Sequence, residues 1–64
     1  MMIYVEREDK ELKKRFAGKA KELLKELDIS AENVLVVRNG KVVSEDEILE
    51  DKDEIKLLSV VSGG

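Results

Sequence analysis

The residues of this sequence best suited to chemistry are its last two, Gly63 and Gly64. They follow an apolar, strand-like run from Ile55 to Ser62. The pattern predicts a slender arm at the end of a small β-type domain, carrying one terminal carboxylate. Glycine has no Cβ and adopts backbone angles closed to other residues, which suits such an arm to a narrow channel. With Gly at about 7% of residues, a terminal pair arises by chance in roughly 0.5% of chains. The plain alternative is an end that does nothing, since termini are often disordered.

Little else in the chain is equipped for catalysis. Its 64 residues include no Cys and no His. That removes thiol nucleophiles, disulfides and Cys-based metal sites, together with the commonest general base and metal ligand. Neighbouring carboxylates such as Glu50 and Asp51 suggest acid–base chemistry only in a pocket, and so short a chain gives no sign of one. The acidic stretch Glu45, Asp46, Glu47, Glu50, Asp51, Asp53 and Glu54 contains one cation, Lys52. It lacks the EF-hand ligand pattern, so calcium is rejected, and no metal site is expected. Lys10, Lys13, Lys14, Arg15, Lys19, Lys21 and Lys25 weight the earlier part basic. The acidic lobe is either a steering surface for a basic partner or simply a solvated face. A net charge of −3 argues against nucleic acid as a direct partner.

Charged and hydrophobic residues each make up 42% of the chain. The apolar residues fall in periodic segments, which predicts a folded domain rather than disorder. A chain this short buries only about 60% of its unfolded surface, so its core must be small. Abundant Lys and Glu without Gln or Cys resembles heat-adapted composition. No apolar run approaches transmembrane length, and Met1 to Arg15 lacks the apolar core of a signal peptide. A cytoplasmic protein without a membrane partner is expected.

The arm has to be positioned by the elements before it. Met2 to Arg7 is β-branched and aromatic and reads as a first strand. Glu8-Asp9-Lys10 reads as a turn. From Glu11 to Phe16 two readings compete. Leu12, Lys14 and Phe16 alternate as a second strand would, while Leu12, Phe16, Ala20, Leu23 and Leu27 fit one long helix capped by Asp9. Gly18 favours a hairpin followed by a helix, because a mid-helix Gly costs about 1 kcal/mol. Lys19 to Leu27 is amphipathic, with Ala20, Leu23, Leu24 and Leu27 on one face, and has no side-chain cap beside Gly18. Asp28 to Asn33 reads as a loop and Val34 to Val37 as a central strand. Asn39-Gly40 between two β-type runs is a hairpin turn. Ser44 with Glu47 fits the cap of a single helical turn, and Ile48 and Leu49 are short apolar contacts. The last strand is expected from Ile55 to Val61. The order is β-β-α-β-β-β, an α+β fold with one main helix on a mixed sheet. Placing the first and last strands side by side in the middle makes it a β-grasp domain over residues 1–62, with 63–64 as the tail.

These residues resemble a known family nearly end to end. They include a helix opening with Gly18, Leu23 and Leu24, and a hairpin with Asn39, Gly40 and Val43. They also include an acidic residue before a strand that runs into the terminus: Asp53, Ile55, Leu57, Leu58, Val60, Gly63 and Gly64. The chain is similar to the ubiquitin-like sulfur carriers, which comprise ThiS-like and MoaD-like proteins and the small archaeal modifiers. It departs from many relatives in carrying Lys52-Asp53 where they have Gly-Asp, and in lacking a Ser or Thr just after Gly18.

The resemblance implies that a ubiquitin-activating-type enzyme uses its own ATP and magnesium to adenylate the Gly64 carboxyl. Sulfur from a donor enzyme then gives a thiocarboxylate for thiamin, molybdopterin or tRNA thiolation. The chain itself is a non-catalytic co-substrate. Relatives present an apolar residue at the position of Leu58 to the activating enzyme, so Leu58 is expected to be a partner contact. Its own alternation places Ile55 and Leu57 toward the helix and Lys56, Leu58 and Val60 outward. Leu35 and Val37 on the neighbouring strand extend the candidate patch. Two other readings stand beside the carrier: a modifier joined through Gly64 to lysines of target proteins, and a plain interaction module.

Overall fold

The computed structural model describes residues 1–60. The Gly63-Gly64 arm and the expected end of the last strand at Val61 lie outside the described residues.

Strand β1 (Met2–Val5) turns its β-branched Ile3 and Val5 into the core, where each is at most 2% exposed. A 3₁₀ turn (Glu6–Glu8) follows, so the strand is shorter than the β-type composition of residues 2–7 suggests. The turn ends at Asp9, whose left-handed φ of 47° is one that Asp tolerates. Its N–H donates to the Glu6 carbonyl at 3.0 Å. Strand β2 (Lys10–Lys13) then runs back antiparallel, with Leu12 opposite Ile3. The hairpin reading of this region therefore holds and the long helix does not form. Two left-handed or otherwise positive-φ residues, Asp9 and Gly18 (φ 149°), bracket the stretch and break helical continuity.

Gly18–Lys19 forms the short β3, and α1 (Ala20–Glu26) follows at once. No side chain caps the helix start. The first N–H groups donate instead to backbone carbonyls of the acidic segment: Ala20 to Glu47 at 2.9 Å and Lys21 to Glu45 at 2.8 Å. At the other end Ile29 N–H reaches Leu24 O (2.9 Å) and Asp28 N–H reaches Lys25 O (3.1 Å). With Asp28 at φ 58° this is a Schellman ending in which Asp takes the usual place of Gly. The Asp28–Asn33 loop contains a 3₁₀ turn (Ala31–Asn33), started by Ser30 Oγ accepting from Glu32 N–H.

Strands β4 (Val34–Arg38) and β5 (Lys41–Val43) are joined by Asn39 and Gly40, both at positive φ, as the hairpin signal predicts. The segment after β5 differs from expectation. Glu47 N–H bonds the Ser44 carbonyl and Asp46 N–H bonds Ser44 Oγ. This is a turn, not a helical one, because the chain must straighten immediately into β6 (Ile48–Leu49), which pairs with β3. Leu49 is fully buried, more than a minor contact. Strand β7 (Glu54–Ser59) completes a five-stranded sheet in the order β2-β1-β7-β4-β5. The first and last strands are parallel neighbours and β7 is central, whereas Val34–Val37 lies one strand further out. This is the β-grasp arrangement, with β3–β6 as a small second sheet.

One face of the large sheet packs on α1. Ile3, Val5, Val34, Val36, Ile55 and Leu57 meet Ala20, Leu23, Leu24 and Leu49 in a single core. Each fully buried aliphatic contributes about 1.5–3 kcal/mol.

The glycine that lets the chain pass from β2 into the helix is sharply constrained. A Cβ at Gly18 would stand 3.1 Å from Glu22 Oε2 and 3.4 Å from Phe16 Cζ, at a φ of 149° that L-residues rarely adopt. Both neighbours are side chains able to yield, so the backbone angle sets the penalty. Gly18→Ala is expected to lower stability by about 1–3 kcal/mol. Urea denaturation checks this, and wild-type stability in the variant would refute it.

Candidate functional site

The sheet face away from α1 has no element packed on it among the described residues. Strand alternation places Tyr4, Lys56, Leu58, Leu35, Val37 and Val42 there, and register brings them together. Leu35 lies opposite Leu58, and Val37 lies between Lys56 and Val42. Leu35 is 45% exposed and Leu58 half-buried. Val60, just past β7, is exposed, and its N–H continues the ladder to Asn33 O at 2.9 Å. Val37 departs from expectation. It is on this face but only 8% exposed, hemmed by two neighbours of which one is a lysine with a long aliphatic stem. Val42 beside it on this face is 64% exposed. Of the residues expected to form the patch, Leu35, Leu58 and Val60 present apolar surface beside the end of β7, and Val37 is on the same face but largely covered. Gly63 and Gly64 lie outside the described residues.

The start of β7 is fixed by a charged network around Asp53, the acidic residue that precedes the strand. Asp53 is 3% exposed. Its carboxylate accepts from Glu50 N–H at 2.7 Å, Arg38 Nε at 2.8 Å and Asn39 Nδ2 at 3.0 Å. A buried carboxylate is tolerated only when so fully bonded. Asn39 in turn accepts from Glu54 N–H at 2.9 Å and donates its own N–H to Glu54 O at 2.8 Å. The Asn-Gly turn is therefore a side-chain clamp on β7 as well as a hairpin. The Glu50 N–H bond, aided by Asn39 and Arg38 against desolvation, holds the Asp53 carboxyl below its ordinary value.

Arg38 also explains the acidic segment. Its guanidinium reaches Glu47 (3.6 Å) and Glu50 (3.5 Å) as well as Asp53. Lys21 Nζ pairs with Asp46 at 3.1 Å, a hydrogen bond that raises the lysine pKa. Asp51 Oδ1 accepts from Phe16 N–H at 2.9 Å, and this bond chiefly lowers its pKa, with help from the N-terminal ammonium. Much of the acidic lobe is thus committed to tying residues 44–54 to β4, α1 and the loop before β3. Among the described residues no group of three or more His, Cys, Asp or Glu is placed to hold a metal ion, and no helix is long and apolar enough to cross a membrane.

The fold and the end-to-end motif order meet in one further finding. The family model for the ThiS family matches residues 3–64. The chain belongs to the ThiS family. It is thereby a ubiquitin-like sulfur carrier in general terms. ThiS family proteins are small carriers rather than catalysts, and they work with an adenylating enzyme and with sulfur-transfer enzymes. The matched span in this ThiS family chain runs from Ile3, within β1, through β7 to the terminal glycine pair.

Sequence reasoning missed Arg38 and Glu6. Arg38 carried no signal beyond preceding the Asn-Gly turn. Glu6, read as part of the first strand, lies in the 3₁₀ turn and accepts from Ser59 N–H at 3.0 Å.

The lowered Asp53 pKa fixes a pH dependence. The carboxylate is the favoured form in the folded chain, so its stabilisation is complete above the unfolded value, near 3.8, and is lost as the pH falls through the lower folded value. Asp53→Asn is expected to cost about 1–3 kcal/mol at neutral pH and to flatten the loss of stability below about pH 4. Urea melts across pH 2–7, roughly the range in which carboxylates titrate, check both. A variant with an unchanged acid limb would contradict the assignment.

Proposed function

We propose that this chain carries sulfur on the carboxyl of Gly64. A partner of the ubiquitin-activating type, supplying ATP and magnesium, adenylates that carboxyl. The carboxylate oxygen attacks the α-phosphorus and displaces pyrophosphate. A hydrosulfide-equivalent from the sulfur donor then adds to the acyl carbon and displaces AMP, leaving a thiocarboxylate. The observation that carries this reading is the ThiS family match, which runs through the terminal Gly63-Gly64. A chain without Cys or His offers a carboxylate rather than a catalytic side chain, and the reaction asks nothing more of it. The thiocarboxylate then serves as nucleophile and sulfur source in a thiamin, molybdopterin or tRNA-thiolation pathway.

The domain has to be held while its end reacts. Leu58 and Leu35, facing each other across β7 and β4, with exposed Val60 alongside, supply an apolar contact at the C-terminal end of β7. Val37 lies further along β4 on the same face, largely covered. Hot-spot contacts of this kind act through a few central residues.

ATP–pyrophosphate exchange catalysed by the host's adenylating enzyme tests both parts. Deleting Gly64 is expected to abolish exchange, and Gly64→Ala to slow it, with the fold unchanged. Leu58→Glu is expected to raise KM for the carrier by about 10-fold or more, the loss of roughly 1.4 kcal/mol or more of contact. Full exchange by the deletion variant would reject the reading.

A further inference from the structure

The end of β7 is held by an unusual bond. Successive N–H groups of a strand point to its two neighbours in turn. Val60 N–H goes to Asn33 O on the β4 side, so Ser59 N–H faces the β1 side. There the ladder has already stopped, its last register pair being Val5 with Leu57. The next carbonyl along, that of Glu6, is occupied by Asp9 N–H at 3.0 Å. The Glu6 side chain replaces it, and Oε1 accepts from Ser59 N–H at 3.0 Å. The 3₁₀ turn at Glu6–Glu8 both ends β1 and aims this carboxylate at β7.

We propose that Glu6 is a positioning residue that holds the C-terminal end of β7 in the sheet. Glu6 holds Ser59 on the β1 side while Asn33 holds Val60 on the other, so the end of β7 is fastened on both sides. The end of β7 is then offered to the activating enzyme in one register. Without the Glu6 bond the end of β7 opens from β1, and that stretch must be ordered again when the partner engages the carrier. The effect falls on carrier binding and not on the chemical step. This inference rests on the carrier reading above.

Two variants test it. Glu6→Ala removes the acceptor, and Glu6→Gln keeps an oxygen of the same reach. In the isolated carrier, amide hydrogen exchange at Ser59 is expected to rise about 10-fold in Glu6→Ala, with Ile55 and Leu57 unchanged; an opening cost of about one hydrogen bond sets that scale. With the adenylating enzyme, Glu6→Ala is expected to raise KM for the carrier about 2- to 10-fold at constant kcat, and Glu6→Gln to recover most of the loss. Unchanged Ser59 exchange in Glu6→Ala would overturn the latch. Faster exchange with unaltered KM, or Glu6→Gln as impaired as Glu6→Ala, would overturn the positioning role. A wild-type chain that the enzyme ignores would sink the carrier reading instead, and the exchange measurement, which needs no enzyme, still reports on Glu6.

Discussion

The register of β7 is the constraint on which the rest of the molecule depends. The strand pairs parallel with β1 and antiparallel with β4, so its side chains are committed on both sides at once. A slip of one residue would put Lys56 into the core and Ile55 and Leu57 into water, because side chains alternate with a period of two. The register is held at both ends by groups outside the ladder. Asp53 and Asn39 fasten its start to the β4–β5 turn, and Glu6 and Asn33 fasten its finish. The same register that fills the core also sets Leu58 opposite Leu35 on the open face.

The helix depends on that frame more than the frame depends on it. Seven residues are far too few to form a stable isolated helix. Buried Ala20, Leu23 and Leu24 hold it to the sheet, and the carbonyls of Glu45 and Glu47 take the place of a capping side chain. Arg38 draws Glu47 and Glu50 toward Asp53, so the network that starts β7 also orients the segment that starts the helix. The high charge content of this small domain is in part internal scaffolding.

The elements with strong local signals were legible in the sequence. Asn39-Gly40 gave the turn, the spacing of Ala20, Leu23 and Leu24 gave the helix face, and alternation at Ile55 and Leu57 gave the buried side of the last strand. Gly18 decided between hairpin and long helix for a reason that the backbone angle makes plain. Features that depend on distant contacts were hidden. Nothing local says that Ser44–Glu47 forms a turn feeding a strand, since β6 exists only because β3 lies beside it. Alternation assigns Val37 to the outer face correctly, yet its burial follows from Lys56 and Val42 on neighbouring strands. Of the candidate site, the patch around Leu58 was legible from alternation, while the bonds made by Glu6 and Arg38 span 53 and 15 residues of sequence and have no local signature.

For a ThiS family chain without Cys or His, the role proposed above is that of a handle on one carboxylate. The most direct test is the intact mass of the chain after incubation with its host's adenylating enzyme, ATP and a sulfide donor. The account predicts a mass gain equal to exchange of one carboxyl oxygen for sulfur, located at Gly64. An unchanged mass, or only ladders of the chain joined to lysines, would contradict it.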